Sequence, residues 1–142
     1  MALLMIQGWA SAKMGRKIRG QEYLHRFLPW LVEQIGMKAI GSTIIEEYAH
    51  WDGDAPSAVQ FVESPALIPP HTTAVQIVNA SAVTVHTYPA LENGSAFVQI
   101  CLDSCLPIQS PDRTRNKILA CLEMALDYTF YDDKWGWRGT DK

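Results

Sequence analysis

The sequence predicts an α+β fold in which an antiparallel β-sheet is covered on one face by two α-helices. One helical pattern lies near each end of the chain, and several strand patterns lie between them. An Asn-Gly pair at residues 93–94 separates two of these strands, as in a tight hairpin. This order of elements favours one two-layer domain spanning residues 1–142.

The first quarter of the chain predicts one strand and one helix. Residues 3–11 are apolar and predict the strand. From Gln21, apolar residues recur every three or four positions until Gly36, which predicts the helix; they are Leu24, Phe27, Leu28, Leu31 and Ile35. Pro29 is expected either to kink this helix or to begin its second half, where the helical pattern is most reliable. Between the two elements lies a basic cluster, expected to be a solvated turn: Lys13, Arg16, Lys17 and Arg19.

The middle of the chain is predicted to be mostly β-structure. Strand patterns occur at 38–48, 58–63, 73–78, 82–88 and 96–103. Residues 82–103 form an antiparallel hairpin around the Asn-Gly turn. Proline and glycine make residues 52–70 irregular outside the short 58–63 pattern, and this segment resembles an insertion.

A long final helix is expected to begin at Ser110, because a capping residue is followed there by a proline suited to the first turn. Its apolar face extends to Phe130 and consists of Ile118, Cys121, Leu122, Ala125, Leu126 and Phe130. Residues 131–142 have no clear period.

Composition excludes several function classes. The net charge of −3 offers no electrostatic basis for binding nucleic acid or an anionic membrane. No stretch approaches the roughly 20 apolar residues that cross a bilayer. Three cysteines without a signal peptide indicate a reduced, cytoplasmic protein. Four scattered histidines, and the spacing of Cys101 and Cys105, do not favour a metal site.

Chemistry is best sought in residues 79–89, because the common nucleotide and metal motifs are absent. Ser81 lies where one predicted strand gives way to the next, and His86 follows five residues later. Taken alone, such a pair is most often a turn serine and a partly buried strand histidine.

The surrounding residues resemble a known motif. The run Ser-Ala-Val-Thr-Val-His-Thr-Tyr-Pro at 81–89, followed by a hairpin and a cysteine-bearing strand, closely resembles the core motif of bacterial S-adenosylmethionine decarboxylase proenzymes. In that family the run is a serine, an alternating strand, His-Thr-Trp-Pro, a tight turn and a strand ending in cysteine. Weaker similarity covers about residues 20–105, including 36–43 and 72–75.

The resemblance implies that Ser81 is the precursor of a pyruvoyl cofactor. Its hydroxyl would attack the preceding carbonyl, and the chain would break between Ala80 and Ser81. The resulting ketone serves the family as an electron sink for decarboxylation. His86 would be the acid/base of this processing, and Thr73 would supply the hydroxyl that steadies the oxyanion.

The resemblance also implies a proton donor, which is a cysteine in the family. Counting directly from His86 leads to Cys101. A hairpin longer by two residues would place Asp103 there, with Cys101 and Cys105 on either side. Cys101 is the first choice and Cys105 the second, and buried structural thiols are the alternative.

Several family positions differ in this chain. Ala80, Ala82 and Ala90 stand where the family has glutamate, histidine and glutamate, and Tyr88 replaces tryptophan. A cationic substrate is expected to need acidic partners. Replacement carboxylates are expected from Glu63, or from Glu46 and Glu47.

The resemblance therefore implies a self-processing pyruvoyl-dependent decarboxylase of polyamine biosynthesis that acts on a small molecule as a homodimer. A decarboxylase for a basic amino acid and a non-processing relative that binds a ligand are the alternatives. The enzyme hypothesis requires Ser81, His86, Thr73 and either Cys101 or Cys105 to converge.

Overall fold

The computed structural model describes residues 2–48, 71–79, 81–89 and 94–134. The described residues form six strands and three helices: β1 Ala2–Ala10, α1 Ala12–Ile18, α2 Gln21–Gln34, β2 Ile44–Tyr48, β3 His71–Val78, β4 Ser81–Pro89, β5 Ala96–Ser104, α3 Pro111–Cys121 and β6 Met124–Asp132. None of the described helices is long and apolar enough to cross a membrane.

The strands form one antiparallel sheet in the order β2-β3-β4-β5-β1-β6. The first strand lies inside the sheet, between β5 and β6, although it comes first in the chain. The predicted fold class is confirmed, with a third short helix added. The 82–103 hairpin is also present as β4 and β5, with Gly94 at a positive φ of 79° beside it.

Alternation along the strands separates two faces of the sheet. One face is buried and apolar, as at Leu4, Ile6 and Ile100. It joins one hydrophobic core with the buried side of α2, which includes Leu24, Leu28 and Leu31. Pro29 lies within α2, which begins at Gln21 and continues past the proline to Gln34.

The basic cluster lies on and just after α1, where a solvated turn was expected. Ser11 begins this helix, because its hydroxyl accepts a hydrogen bond from the Met14 backbone N–H at 3.2 Å. Met14 and Ile18 are buried, while all four basic side chains are exposed. The prediction of solvent exposure was right, and the prediction of a turn was wrong.

The long final helix was also predicted wrongly in its second half. Helix α3 ends at Cys121, and Glu123 follows with a left-handed φ of 47°. The chain then forms β6, which pairs with the otherwise free edge of β1. Ala125, Leu126 and Phe130 have the spacing of a helical face. The backbone hydrogen bonds that these residues gain at the edge of β1 nevertheless stabilise a strand here.

Other predicted strands are shorter or fall outside the described residues. The 38–48 strand is reduced to β2, with an isolated bridge between Ala39 and Val78 ahead of it. The 58–63 strand, most of the 52–70 segment with Glu63, and most of the C-terminal tail lie outside the described residues.

Candidate functional site

The sheet has a second face, which we call the open face, directed away from the helices. It carries alternate residues of each strand, such as Met5, Gln7 and Trp9 of β1. Its large apolar side chains are exposed: Trp9, Ile44, Ile77, Tyr128 and Phe130 are 37–52% accessible. Within the described ranges, the core contacts of α1, α2 and α3 all involve the opposite face.

Thr73 and His86 meet on the open face. They are directly opposite each other in the β3–β4 ladder, and Thr73 Oγ1 lies 3.0 Å from His86 Nδ1. Directly opposed residues of an antiparallel pair project from the same face, so the contact follows from the strand register. Two of the predicted site residues are therefore brought together.

A row of polar side chains crosses the open face at this level. Strand pairing places Glu46 opposite Thr73, and His86 opposite Gln99. The row continues to Gln7, whose Oε1 accepts a hydrogen bond from Gln99 Nε2 at 3.2 Å. Glu46 therefore shares a row with His86, whereas Glu47 opposes Thr72 and projects toward the helices.

An aromatic row runs beside the polar row. It consists of His71, Tyr88, Phe97 and Trp9 from four adjacent strands. Successive ring centroids are 5.6, 6.5 and 5.2 Å apart, and the Trp9–Phe97 pair is edge-to-face. Aromatic rings of this size supply much of the contact area in binding surfaces.

The surroundings of His86 favour the neutral form of its imidazole. Burial lowers its pKa below the usual value, and the nearby charge of His71 lowers it further. A neutral imidazole can accept a proton, so this environment suits a base near neutral pH.

Cys101 and Asp103 lie on β5 on the same open face. Cys101 is opposite Thr84, two positions from the His86–Gln99 pair. Burial raises the pKa of the Cys101 thiol, as does the charge of Asp103, so the thiol keeps its proton. Cys105 lies just beyond the end of β5 and is exposed.

Ser81 stands apart from these residues. It is exposed, begins β4 and pairs with Val78. It is five residues from His86, which corresponds to about 17 Å along a strand. The odd spacing also gives the two residues opposite orientations in the regular strand. The predicted convergence of Ser81 with His86 does not occur within one chain.

Sequence reasoning missed the polar row and the environment of Asp103. Gln99 carries no motif signal, since its role depends on which residues lie on neighbouring strands. Among the described residues, no group of three or more His, Cys, Asp or Glu side chains could hold a metal ion. Ala80, which precedes the expected cleavage, lies outside the described residues.

Comparison with known proteins gives a structural relationship. No family model matches the sequence, and no curated protein sequence matches it. Among solved structures, the adenosylmethionine decarboxylase from Aquifex aeolicus VF5 is similar, with a TM-score of 0.59 and 15% sequence identity. The match covers 99% of this chain and 95% of that one. The chain thus has an adenosylmethionine decarboxylase-like fold.

Proposed function

We propose that the protein is a self-processing, pyruvoyl-dependent decarboxylase that acts as a homodimer. The observation that carries the proposal is the Thr73–His86 pair, which lies on the same hairpin as the exposed Ser81. A hydroxyl held against a neutral imidazole is an arrangement for proton transfer. The decarboxylase-like fold supports the same conclusion.

Ser81 suits the precursor of a pyruvoyl group. It is exposed at the very start of β4, where its hydroxyl is accessible. Breaking the chain before Ser81 would leave β3 and β4 paired with each other and with their other neighbours. The cleaved protein would therefore keep its sheet. The pyruvoyl group would supply the electron sink for decarboxylation.

The distance between Ser81 and His86 calls for a second copy of the chain. An imidazole about 17 Å away along the same strand cannot exchange a proton with Ser81 directly. His86 projects from the open face, whereas Ser81 begins β4 at one end of the sheet. The proposal therefore requires the second copy to place its His86 at that end of the sheet.

The open face has the composition and size of an interface. It exposes aromatic residues, which are enriched in interfaces, around a polar row. Its six strands cover roughly 24 by 26 Å, or about 600 Å². A stable interface buries about 800 Å² of accessible surface per partner, which is of the same order.

The substrate would be a cationic amino acid, either S-adenosylmethionine or a basic one. Glu46 and Asp103 are carboxylic side chains on the open face, where the family's usual acidic neighbours are replaced by alanine. A carboxylate in the same row as His86, as Glu46 is, suits a ligand with a positive charge. The product would be the corresponding amine, as in polyamine synthesis.

The first test is the intact mass of freshly purified protein, with Ser81→Ala as its control. The proposal predicts two fragments that separate at Ala80–Ser81, the second with a blocked N-terminus. Ser81→Ala should remain one species of about 15.9 kDa. A wild-type chain that stays uncut over days would overturn the proposal.

Complementation tests the need for a second copy. Ser81→Ala keeps His86, and His86→Ala keeps Ser81, so each variant alone should remain uncut. When the two are co-expressed with tags of different mass, the His86→Ala chain should be cleaved while the Ser81→Ala chain stays whole. No cleavage in the mixture would refute processing between copies.

A non-processing binding protein is the second candidate. The separation of Ser81 from His86 favours it, because a single chain holds its reactive groups apart. It predicts an uncut chain that still binds S-adenosylmethionine. Calorimetry on the uncut Ser81→Ala protein would measure that binding.

A further inference from the structure

Two cavities adjoin where the end of α2 meets the start of α3. The smaller, of about 210 Å³, is lined by Gln34, Gln109, Ser110, Arg113, Thr114 and Lys117. The larger, of about 480 Å³, shares Gln34 and Gln109 as walls and also has Met37 and Asn79 in its lining. Thr73 and His86 line neither cavity and lie on the open face. The two cavities, which we call the helix-end cleft, are therefore separate from the site described above.

The smaller cavity presents positive charge. None of the described residues that line it carries a carboxylate. Arg113 forms no ion pair with a described residue, and Lys117 Nζ donates to the neutral Gln34 Oε1 at 3.3 Å. Asp112, next to Arg113 in the chain, pairs instead with Arg115 at 3.3 Å. Two cations without acidic partners in one concave site attract an anion.

The first turn of α3 adds backbone donors to these cations. Pro111 has no N–H, and the Thr114 N–H donates to the Ser110 carbonyl at 3.0 Å. The N–H groups of Asp112 and Arg113 are therefore left without an intrahelical partner. Together with the helix dipole, such groups favour a negatively charged ligand, and phosphate in particular.

Thr114 gives independent evidence for a ligand in the smaller cavity. It is only 3% exposed and lines that cavity. Its hydroxyl makes no hydrogen bond to a described residue, yet it is not sealed from solvent as the Thr87 hydroxyl is. Because the rest of the residue is buried, the hydroxyl faces the cavity. A buried hydroxyl without a partner costs free energy, which a bound acceptor would recover.

The larger cavity has the room and the chemistry for a nucleoside. Its volume lies within the range of pockets that enclose small organic ligands. Four apolar side chains, suited to the faces of a base, line it: Ile35, Met37, Leu106 and Pro107. Asn79 uses its Oδ1 to accept the Lys38 N–H at 3.0 Å, so its amide N–H groups are left for a base edge, as is the Gln109 amide. Glu33, the carboxylate among the described lining residues, can accept hydrogen bonds from ribose hydroxyls.

We propose that the helix-end cleft binds a nucleoside monophosphate. The phosphate occupies the smaller cavity against Arg113, Lys117 and the start of α3, and the base and ribose occupy the larger one. This orientation follows from charge, because the cations and free N–H groups lie at one end, and the amides and apolar side chains at the other. The inference goes beyond the proposed function and does not rest on it, since the cleft uses neither Ser81 nor His86.

The test measures the binding of AMP, GMP, CMP and UMP to the full chain by calorimetry, with adenosine and inorganic phosphate as partial ligands. Wild type and Ser81→Ala are both used, so that the result does not depend on chain cleavage. Arg113→Gln/Lys117→Gln removes both cations of the cleft. Lys13→Gln/Lys17→Gln is the matched control, because it removes the same charge from α1, which lies beside the start of β5 and away from the loop that follows β5.

We expect at least one nucleotide to bind about tenfold or more tightly than either partial ligand, because it joins both in one molecule. The Arg113→Gln/Lys117→Gln variant should bind it about tenfold or more weakly, and the α1 control should stay within about twofold of the wild type. Thr114→Val keeps the shape of the buried side chain, so it should fold and bind about threefold more weakly. Leu106→Trp, which fills the larger cavity, should weaken nucleotide binding and leave phosphate binding unchanged.

Three outcomes would overturn this inference. One is that none of the four nucleotides binds to the wild type or to Ser81→Ala. Another is that phosphate or adenosine alone binds as tightly as the best nucleotide. The third is full nucleotide affinity in the Arg113→Gln/Lys117→Gln variant, which would place the ligand elsewhere. Self-processing is judged by chain cleavage alone, so its failure and the failure of this inference are distinguishable.

Discussion

Thr73 Oγ1 and His86 Nδ1 lie 3.0 Å apart across the β3–β4 ladder. The contact engages Nδ1, so the other ring nitrogen, Nε2, is the one left for proton exchange. The hydroxyl of Thr73 therefore holds the orientation of the imidazole, whatever the side chain acts upon.

Removing this hydroxyl should slow processing. Thr73→Val keeps the shape of the side chain but loses the hydrogen bond, and we expect cleavage to slow by about tenfold. Thr73→Ser keeps the hydroxyl and should be cleaved at nearly the wild-type rate. Fragment formation over time, followed by intact mass, checks both. Equal rates for the valine and serine variants would show that the contact has no role in processing.

Stability should depend on His86 as the pH falls. Because its pKa is lowered in the folded chain, the unfolded chain binds the proton first below about pH 6.5. The free energy of unfolding should therefore decrease as pH falls through this range and be unaffected above it. Urea unfolding at pH 7.5 and 5.5 should show a larger loss of unfolding free energy for the wild type than for His86→Gln.

His71→Gln should raise the His86 pKa measured by NMR, since it removes a repelling charge.

The oligomeric state should depend on the open face. Trp9 is 48% exposed there and packs edge-to-face on Phe97. Trp9→Glu should weaken a dimer by about 2 kcal/mol or more, the scale of an interface hot spot. Leu106→Glu is the control, since Leu106 is 64% exposed but lies in the loop after β5. Sedimentation should find the Trp9 variant monomeric and the Leu106 variant unchanged. A wild-type monomer would contradict this prediction directly.

Two buried threonines should respond to valine in opposite ways. The Thr87 hydroxyl is buried without a hydrogen-bond partner among the described residues, so Thr87→Val should leave stability unchanged or raise it by about 1 kcal/mol. The Thr43 hydroxyl donates a 2.7 Å hydrogen bond to Gln76 Oε1, and Thr43→Val should cost about 1–3 kcal/mol. Urea denaturation of both variants measures the difference. Destabilisation of similar size in each would show that Thr87 has a partner.

Local patterns were sufficient to predict much of the fold. Helix α2 was predicted from apolar residues spaced every three or four positions, and the β4–β5 hairpin from alternation beside Asn93-Gly94. These signals are local, because each depends on residues that are neighbours along the chain. The Thr73–His86 pair was also selected from sequence, through the family resemblance, and the strand register brings its members together.

The C-terminal third needed information that is not local. The apolar residues after Cys121 fit one helical face, yet β1 sits inside the sheet with an edge that must be paired. That requirement is set by a strand more than a hundred residues earlier, and it converts residues 124–132 into β6. The separation of Ser81 from His86 is likewise invisible in the motif, since it follows from β4 remaining a regular strand over both residues.

The sequence by itself therefore determined the α+β class, helix α2 and the central hairpin. It also identified the residues whose side chains could take part in a reaction. Only the tertiary structure decided which of those residues meet. It joined Thr73 to His86, aligned Glu46 and Gln99 with them, and kept Ser81 away from His86. The physical reason is that periodicity assigns a side chain to a face, whereas contact across a sheet depends on strand order and register.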